Sequence, residues 1–300
     1  LGNFSIHRTL NNTVKKQINL KMANEAKVAT AAKEEKNGLS SIFASITIPL
    51  CLVVGILIYK FVMGNPSNFE GGDPNNHPIS EGAGQVLGLI YKGGFIVPIL
   101  LSLVLMNITF SIERFLTIAK AQGKGRAETF VRKIRTHLDN NNVDAAIKEC
   151  DAQRGSVANV LRSTLVKYKE MENTSGLDLD QKVLSIQKEL EESTTLELPG
   201  LEKNLVIIAT MASVSTLIAL LGTVIGMIRA FAALATAGSP DSVALANGIS
   251  EALINTALGI GNSAVATIMY NVFTSKIDAI TYAIDEAGYS IIQTFTAKHR

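Results

Sequence analysis

Four long runs of apolar residues constrain this chain more than any other feature. The first uncharged run covers residues 38–59, with its apolar heart at 42–62. The second covers 93–112 and ends at Glu113-Arg114, the third covers 204–228 and ends at Arg229, and the fourth covers 252–275 and ends at Lys276. A helix of roughly 20 apolar residues is enough to cross a ~30 Å hydrocarbon core. A backbone in lipid must bond its own polar groups, so all four runs are predicted to be helices. Of the 300 residues, 47% are hydrophobic and only 18% are charged, and the mean hydropathy is +0.25. A net charge of +2 is too small to suggest a nucleic-acid binder. The expected fold class is all-α: a polytopic transmembrane helix bundle with long helices extending into the cytoplasm.

The placement of Lys and Arg predicts an orientation. The stretch 64–88 has neither but carries Glu70, Asp73 and Glu81. The stretch 235–249 also lacks them, whereas 114–203 is rich in both. The two short acidic loops are therefore expected outside, and both termini in the cytoplasm. The layout is a cytoplasmic N-terminal tail at 1–40, an extra first span at 41–63, a periplasmic loop at 64–92, and further spans at 93–113, 204–234 and 249–275. A cytoplasmic helical domain falls at 114–203, a periplasmic turn at 235–248 and a cytoplasmic C-terminal helix at 276–300.

Lys27, Lys33 and Lys36 precede the first run, as in a signal peptide. The run is long for one, and Met63-Gly64-Asn65-Pro66 is a poor cleavage site, so a retained anchor is expected. Residues 1–21 are polar and patternless, and Met22 reads as a start, so the mature protein is expected to begin near Met22. Turn formers crowd 65–80, which should be irregular and exposed.

Between the second and third spans, Phe130, Val131, Ile134 and Leu138 recur at helical spacing. A polar break at 139–142 precedes a second helix using Val143, Ala146, Ile147 and Cys150. A third starts at Gly155-Ser156 and uses Val160, Leu161, Leu165 and Tyr168. The pattern resumes after a polar linker through Val183, Leu184, Ile186 and Leu190, with Glu189, Glu191 and Glu192 on a solvated face. Pro199-Gly200 is expected to bend or interrupt the chain before the membrane. Beyond the fourth span, Ile277, Ile280, Ile284 and Ile291 keep the helix amphipathic. Two cysteines, Cys51 and Cys150, and four scattered histidines form neither a disulfide framework nor a metal-ligand spacing. No cofactor or metal is expected.

Polar residues inside spans are costly and face protein or water. In the third span Ser213, Thr216 and Thr223 share one face, and Ser215 falls elsewhere. In the fourth helix Glu251, Asn255 and Asn262 form one stripe and Thr256, Ser263, Thr267 and Thr274 another, which suggests two environments such as a lumen and a neighbouring subunit. Ser and Thr can also bond their own helix carbonyls and mean nothing more, and the asparagines can be interhelical glue. Ser239-Pro240-Asp241 looks like a helix start after a hairpin tip near Gly238. Counting from that tip, Thr223, Glu251 and Thr256 fall at similar depth and can cluster. No Lys or Arg lies deeper to pair with Glu251, so it is protonated, or meets water or a partner, unless it sits at headgroup level. Gly222 with Gly226, and Gly259 with Gly261, are spaced for close helix packing.

At these residues the chain resembles the MotA/TolQ/ExbB proton-channel family. Leu220-Leu221-Gly222-Thr223-Val224-Ile225-Gly226-Met227-Ile228 with Phe231 is similar to the family's first signature. Ile249-Ser250-Glu251-Ala252-Leu253-Ile254-Asn255-Thr256-Ala257-Leu258-Gly259, running on to Tyr270-Asn271, is similar to the second. Lys92-Gly93-Gly94 through Pro98, Ser102 and Glu113-Arg114 match more weakly. Thr216 and Val265 stand where the family often has Pro, and the first span is additional to the usual three.

The resemblance implies a homopentameric collar around the helices of two ExbD-like single-span partners that carry a membrane Asp. It implies that Thr223 and Thr256 face the pore, that Glu251 is the family's membrane glutamate, and that proton flow drives work at the outer membrane through a TonB-like protein. Ser213, Thr216, Asn255 and Asn262 are further candidates for pore or interface. The alternatives are a TolQ-like or motility stator subunit and a non-conducting scaffold. No nucleophile, metal cluster or phosphate-cradling loop supports an enzyme. The ion, H⁺ or Na⁺, stays open.

Overall fold

The computed structural model describes residues 43–74, 76–235 and 242–299. The N-terminal tail, the start near Met22, the helix start at Ser239-Pro240-Asp241 and the hairpin tip near Gly238 lie outside them. The chain divides into two compact units, Leu1–Cys51 and Leu52–Arg300. Within the first, the described residues from Phe43 are helical.

Among the described residues the fold is all-helical, with one isolated bridge between Phe69 and Pro78 and no strand. Helix α1 (Phe43–Met63) ends in a π-helical turn over Ile58–Met63. It is followed by α2 (Ala83–Tyr91), α3 (Val97–Ala121), α4 (Ala127–Asp139), α5 (Val143–Gln153), α6 (Ser156–Asn173), α7 (Leu179–Glu202), α8 (Leu205–Ala235) and α9 (Ser242–Lys298). Four helical stretches among the described residues are long and apolar enough to cross a membrane; they contain α1, α3, α8 and α9.

The tightest pairing is α8 against α9. Its seam is built from small residues: Ser215, Ala219, Gly222, Gly226 and Ala230 on α8, and Gly248, Ala252 and Gly259 on α9, all buried. The chemistry explains the closeness. A Cβ at Gly226 would lie 2.8 Å from the Ala252 nitrogen and the Gly248 oxygen, and one at Gly222 would lie 2.8 Å from the Asn255 side chain. Backbones this close gain dispersion contacts that larger residues would forbid. Gly259 packs on Ala219 and the Ser215 carbonyl, whereas Gly261 faces open space and does not take part in the seam. Helices α8 and α9 run uninterrupted through Thr216 and Val265.

Helix α3 packs on both members of this pair. Beyond them, α4 to α7 and the C-terminal part of α9 share a core of Phe130, Ile134, Leu138, Leu161, Tyr168, Ile186, Ile284 and Phe295. Tyr168 meets Phe295 edge to face at 4.8 Å. Ile277, Ile280, Ile284 and Ile291 are all buried, as the periodicity predicts. The carboxylates Glu191 and Glu192 are exposed.

Two local expectations are corrected. Pro199 does not interrupt α7, which continues to Glu202. The break falls at Lys203 and Asn204, where Asn204 takes a left-handed φ of 64° that asparagine tolerates better than most residues. The buried Arg114 stabilises the helix end by donating to the Leu201 and Gly200 carbonyls at 3.1 and 3.4 Å. Glu113 holds that guanidinium at 2.5 and 2.7 Å and accepts from Asn204 Nδ2 at 3.2 Å. The loop 65–80 is not wholly exposed either. Asn68 and Phe69 are buried. Asn68 donates to the Val62 and Met63 carbonyls at 2.8 and 3.0 Å, while Phe69 packs on Tyr91 at 5.5 Å. The orphan carbonyls at the end of the π-helical turn give the carboxamide its reason to be inside.

Candidate ion-pathway site

Thr223 on α8 and Thr256 on α9 come together. Their hydroxyls hydrogen-bond to each other. Each hydroxyl also lies within bonding distance of a carbonyl one turn back in its own helix, Thr223 Oγ1 at 3.1 Å from Ala219 and Thr256 Oγ1 at 3.0 Å from Ala252, so one threonine donates to its partner while the other donates to its own helix. Both are half-buried, so the pair borders the α8–α9 seam instead of lying inside it. The small seam residues let two short side chains meet across the interface.

Glu251 does not join them. It lies 7% exposed and accepts both oxygens' bonds from Arg229 Nη1, each 2.8 Å long. The expectation that Glu251 is protonated, or meets water or a partner, for want of a deeper basic residue did not reckon with a basic residue nearer the tip. The arginine lies on the tip side of the carboxylate, not deeper, and its long side chain reaches back along the helix pair. Arg229 is itself 52% exposed, and its guanidinium stands 5.6 Å over the Phe95 ring. Gly94 closes the other side. A Cβ there would collide with the Glu251 carboxylate, and its φ of 76° suits glycine.

The rest of the Glu251 stripe is also buried within the subunit. Asn255 donates to the Gly93 carbonyl at 3.0 Å, while its Oδ1 is buried without a partner. Asn262 donates to Ser215 Oγ at 2.8 Å and accepts from Asn107 Nδ2 at 3.0 Å. Ser111 donates to Asn107 Oδ1 at 3.4 Å, completing a buried chain across α3, α9 and α8. These asparagines are the interhelical glue that the sequence allowed as one reading. Sequence reasoning missed Asn107, although an asparagine inside an apolar run was a signal for such a partner.

Ser213 is exposed and Thr216 half-buried. Ser263 reaches across to the Ala212 carbonyl at 2.5 Å, and Thr267 bonds only its own helix at the Ser263 carbonyl, 2.9 Å away. The second stripe therefore runs along an open edge of the helix pair. Among the described residues no group of His, Cys, Asp and Glu could hold a metal.

The MotA/TolQ/ExbB proton channel family matches residues 156–286, which contain α6 to α8 and most of α9 with both threonines and Glu251. Over these residues the chain belongs to this family. Among its MotA/TolQ/ExbB relatives, the Tol-Pal system protein TolQ of Pseudomonas aeruginosa is 30% identical over 124 residues, 41% of this chain and 54% of that protein. TolQ of Haemophilus influenzae is 38% identical over 104 residues, 35% of this chain and 44% of that one. The biopolymer transport protein ExbB of Pseudomonas putida is 31% identical over 86 residues, 29% and 26% of the two chains. The chain thus spans about half the length of the TolQ proteins it matches. MotA/TolQ/ExbB proteins are channels and not enzymes, and this member is a multi-pass membrane protein.

Proposed function

We propose that this chain is the channel-forming subunit of an ion-driven motor in the bacterial inner membrane, with both termini in the cytoplasm. Five copies surround the single helices of two ExbD-like partners, and proton flow is coupled to TonB-dependent work at the outer membrane. The observation that carries the reading is the Thr223–Thr256 hydroxyl pair, set on two long apolar helices within the family match. Hydroxyls beside a partner's carboxylate can hold the water that passes a proton. Further support comes from unpartnered apolar rows, including Leu217, Val224 and Phe231 on α8 and Leu253, Ile260 and Ile268 on α9. Lipid or neighbouring copies would cover them. In this reading Glu251 is held as an ion pair beside the path, and Ser213 and Thr216 continue its polar edge.

Two TolQ proteins among the relatives favour, as a second reading, a TolQ-like role in the cell envelope. The test co-expresses the chain with its single-span partner and measures proton flux in vesicles. Thr223→Val and Thr256→Val are expected to abolish flux with assembly intact. Undiminished flux in both variants would show that the ions take another path, and a parent complex without flux would leave the scaffold reading in its place.

A further inference from the structure

The helices outside the apolar spans leave two edges uncovered. Between residues 122 and 203 and beyond 276, four large apolar side chains among the described residues have more than half of their surface exposed: Leu184 and Leu196 on α7, and Tyr282 and Tyr289 on α9. Outside lipid, side chains of this size call for a cover. Tyr282 and Tyr289 are two turns apart on one face of α9. They line adjoining open grooves of about 570 and 460 Å³, which share Glu128 and Glu286 and so form one furrow beside α4. Arg132 and Arg135 line the second groove, exposed and without an ion-pair partner among the described residues. On α7, Leu184 and Leu196 flank Glu191 and Glu192, which are exposed and likewise unpaired with any cation among the described residues.

The two edges do not cover each other within one copy. Helix α4 shares its groove with Ser290, whereas Leu190 of α7 packs on Gly288. Those two α9 positions point about 200° apart, so α4 and α7 flank α9 on opposite sides. The edges do lie at the same height. Leu190 meets Gly288 while Glu202 and Asp278 share a groove, so α7 and α9 are antiparallel. Counting from Leu190 and Gly288 sets Leu196 level with Tyr282, and sets Glu191 and Glu192 within about one turn of the level of Tyr289. Copies of a multi-pass protein sit in the bilayer the same way up, so neighbours are related by rotation about the membrane normal and keep these levels.

We propose that a second copy of this chain covers the furrow: Leu196 of one copy packs on Tyr282 of the next, and Glu191 and Glu192 pair with Arg132 and Arg135. The two edges differ, so the contact is heterologous, and repetition about the membrane normal closes it into a ring. The contact rests on the several-copy assembly proposed above and names the surfaces that hold its neighbours together. Opposite charges at equal height fix which edge meets which.

The test co-expresses two differently tagged full chains, one Leu196→Cys and one Tyr282→Cys, with the single-span partner, and treats the membranes with a short bismaleimide. Both replaced side chains are exposed, so folding is not at stake. Cys51 and Cys150 are buried, and the parent chain serves as the blank. A product joining the two tags is expected, with little from either form alone. Adding Arg132→Glu and Arg135→Glu to the Tyr282→Cys form should lower the yield severalfold, and Glu191→Arg with Glu192→Arg in the other form should restore it. Equal yield from one form alone would mark a like-to-like contact, and a product with the single-span partner would assign the furrow to that protein; either overturns the proposal.

Native mass spectrometry of the same preparations separates this contact from the assembly it rests on. A several-copy complex without the mixed product removes the contact and leaves the assembly. Single copies remove both.

Discussion

The Glu251 carboxylate is buried, and Arg229 is its only ion-pair partner among the described residues. Removing the arginine would leave a charge-bearing group inside without its donor, which costs more than removing both. Arg229→Met is expected to destabilise the protein by about 2 kcal/mol, discounted because the arginine is half-exposed, and Arg229→Met/Glu251→Met by less. Thermal unfolding in detergent of these two and of Glu251→Met measures the coupling, and a double loss equal to the sum of the two single losses would show that the pair is uncoupled. Burial, with Asp151 beside it, pushes the Cys150 thiol up to about 12. A thiol held protonated is a poor nucleophile. Cys150 should resist maleimide at pH 8 in the folded chain and react fully in denaturant. Asn255 and Asn262 were legible as polar residues in an apolar span, but the direction they face was not. Periodicity places residues on a stripe; only the position of α3 decides that the Glu251 stripe is interior.

Helix existence was written plainly in the four apolar runs and in the isoleucine spacing past Lys276. Helix ends were less so. The Pro199 signal was overridden because Arg114 caps the carbonyls beyond it and Asn204 absorbs the turn. At Asn204 the left-handed backbone makes a clear prediction: Asn204→Gly should be tolerated, while Asn204→Val should lower Tm by several degrees, about 1–2 kcal/mol. The α8–α9 seam makes another. Gly226→Val forces side-chain atoms into the Ala252 and Gly248 backbone and should cost about 3 kcal/mol or more. Gly261→Ala meets nothing within 4 Å and should be neutral or stabilising by up to about 1 kcal/mol, through helix propensity alone. Both glycines sit in apolar helix, so a sequence cannot rank them; the facing backbone does. Comparative melts of the two variants check the contrast, and a Gly226→Val protein as stable as the parent would contradict the seam.

At the scale of the whole molecule, the helices outside the apolar spans share a core whose polar atoms dislike ionising. Burial, with Glu172 nearby, raises the Tyr168 hydroxyl from 10.0 to about 12, alongside Cys150, raised from 9.0. The folded state keeps protons that the unfolded chain releases between those values, so stability falls as pH rises from about 9 towards 12. Alkaline titration followed by helical circular dichroism should show this loss, and Tyr168→Phe should remove the tyrosine's share of it.

Helix α9 runs unbroken from Ser242 to Lys298, from the buried Glu251 to the Phe295 that packs on Tyr168. It behaves as a lever. From Thr256 to Phe295 it is about 60 Å long, so a tilt of about 5° at the threonine end would swing the far end by about 5 Å. Neither proline nor left-handed backbone lies within it to absorb such a swing. On the channel reading proposed above, a displacement caused by an ion beside Thr256 would be delivered, mechanically amplified, to the helices at the other end.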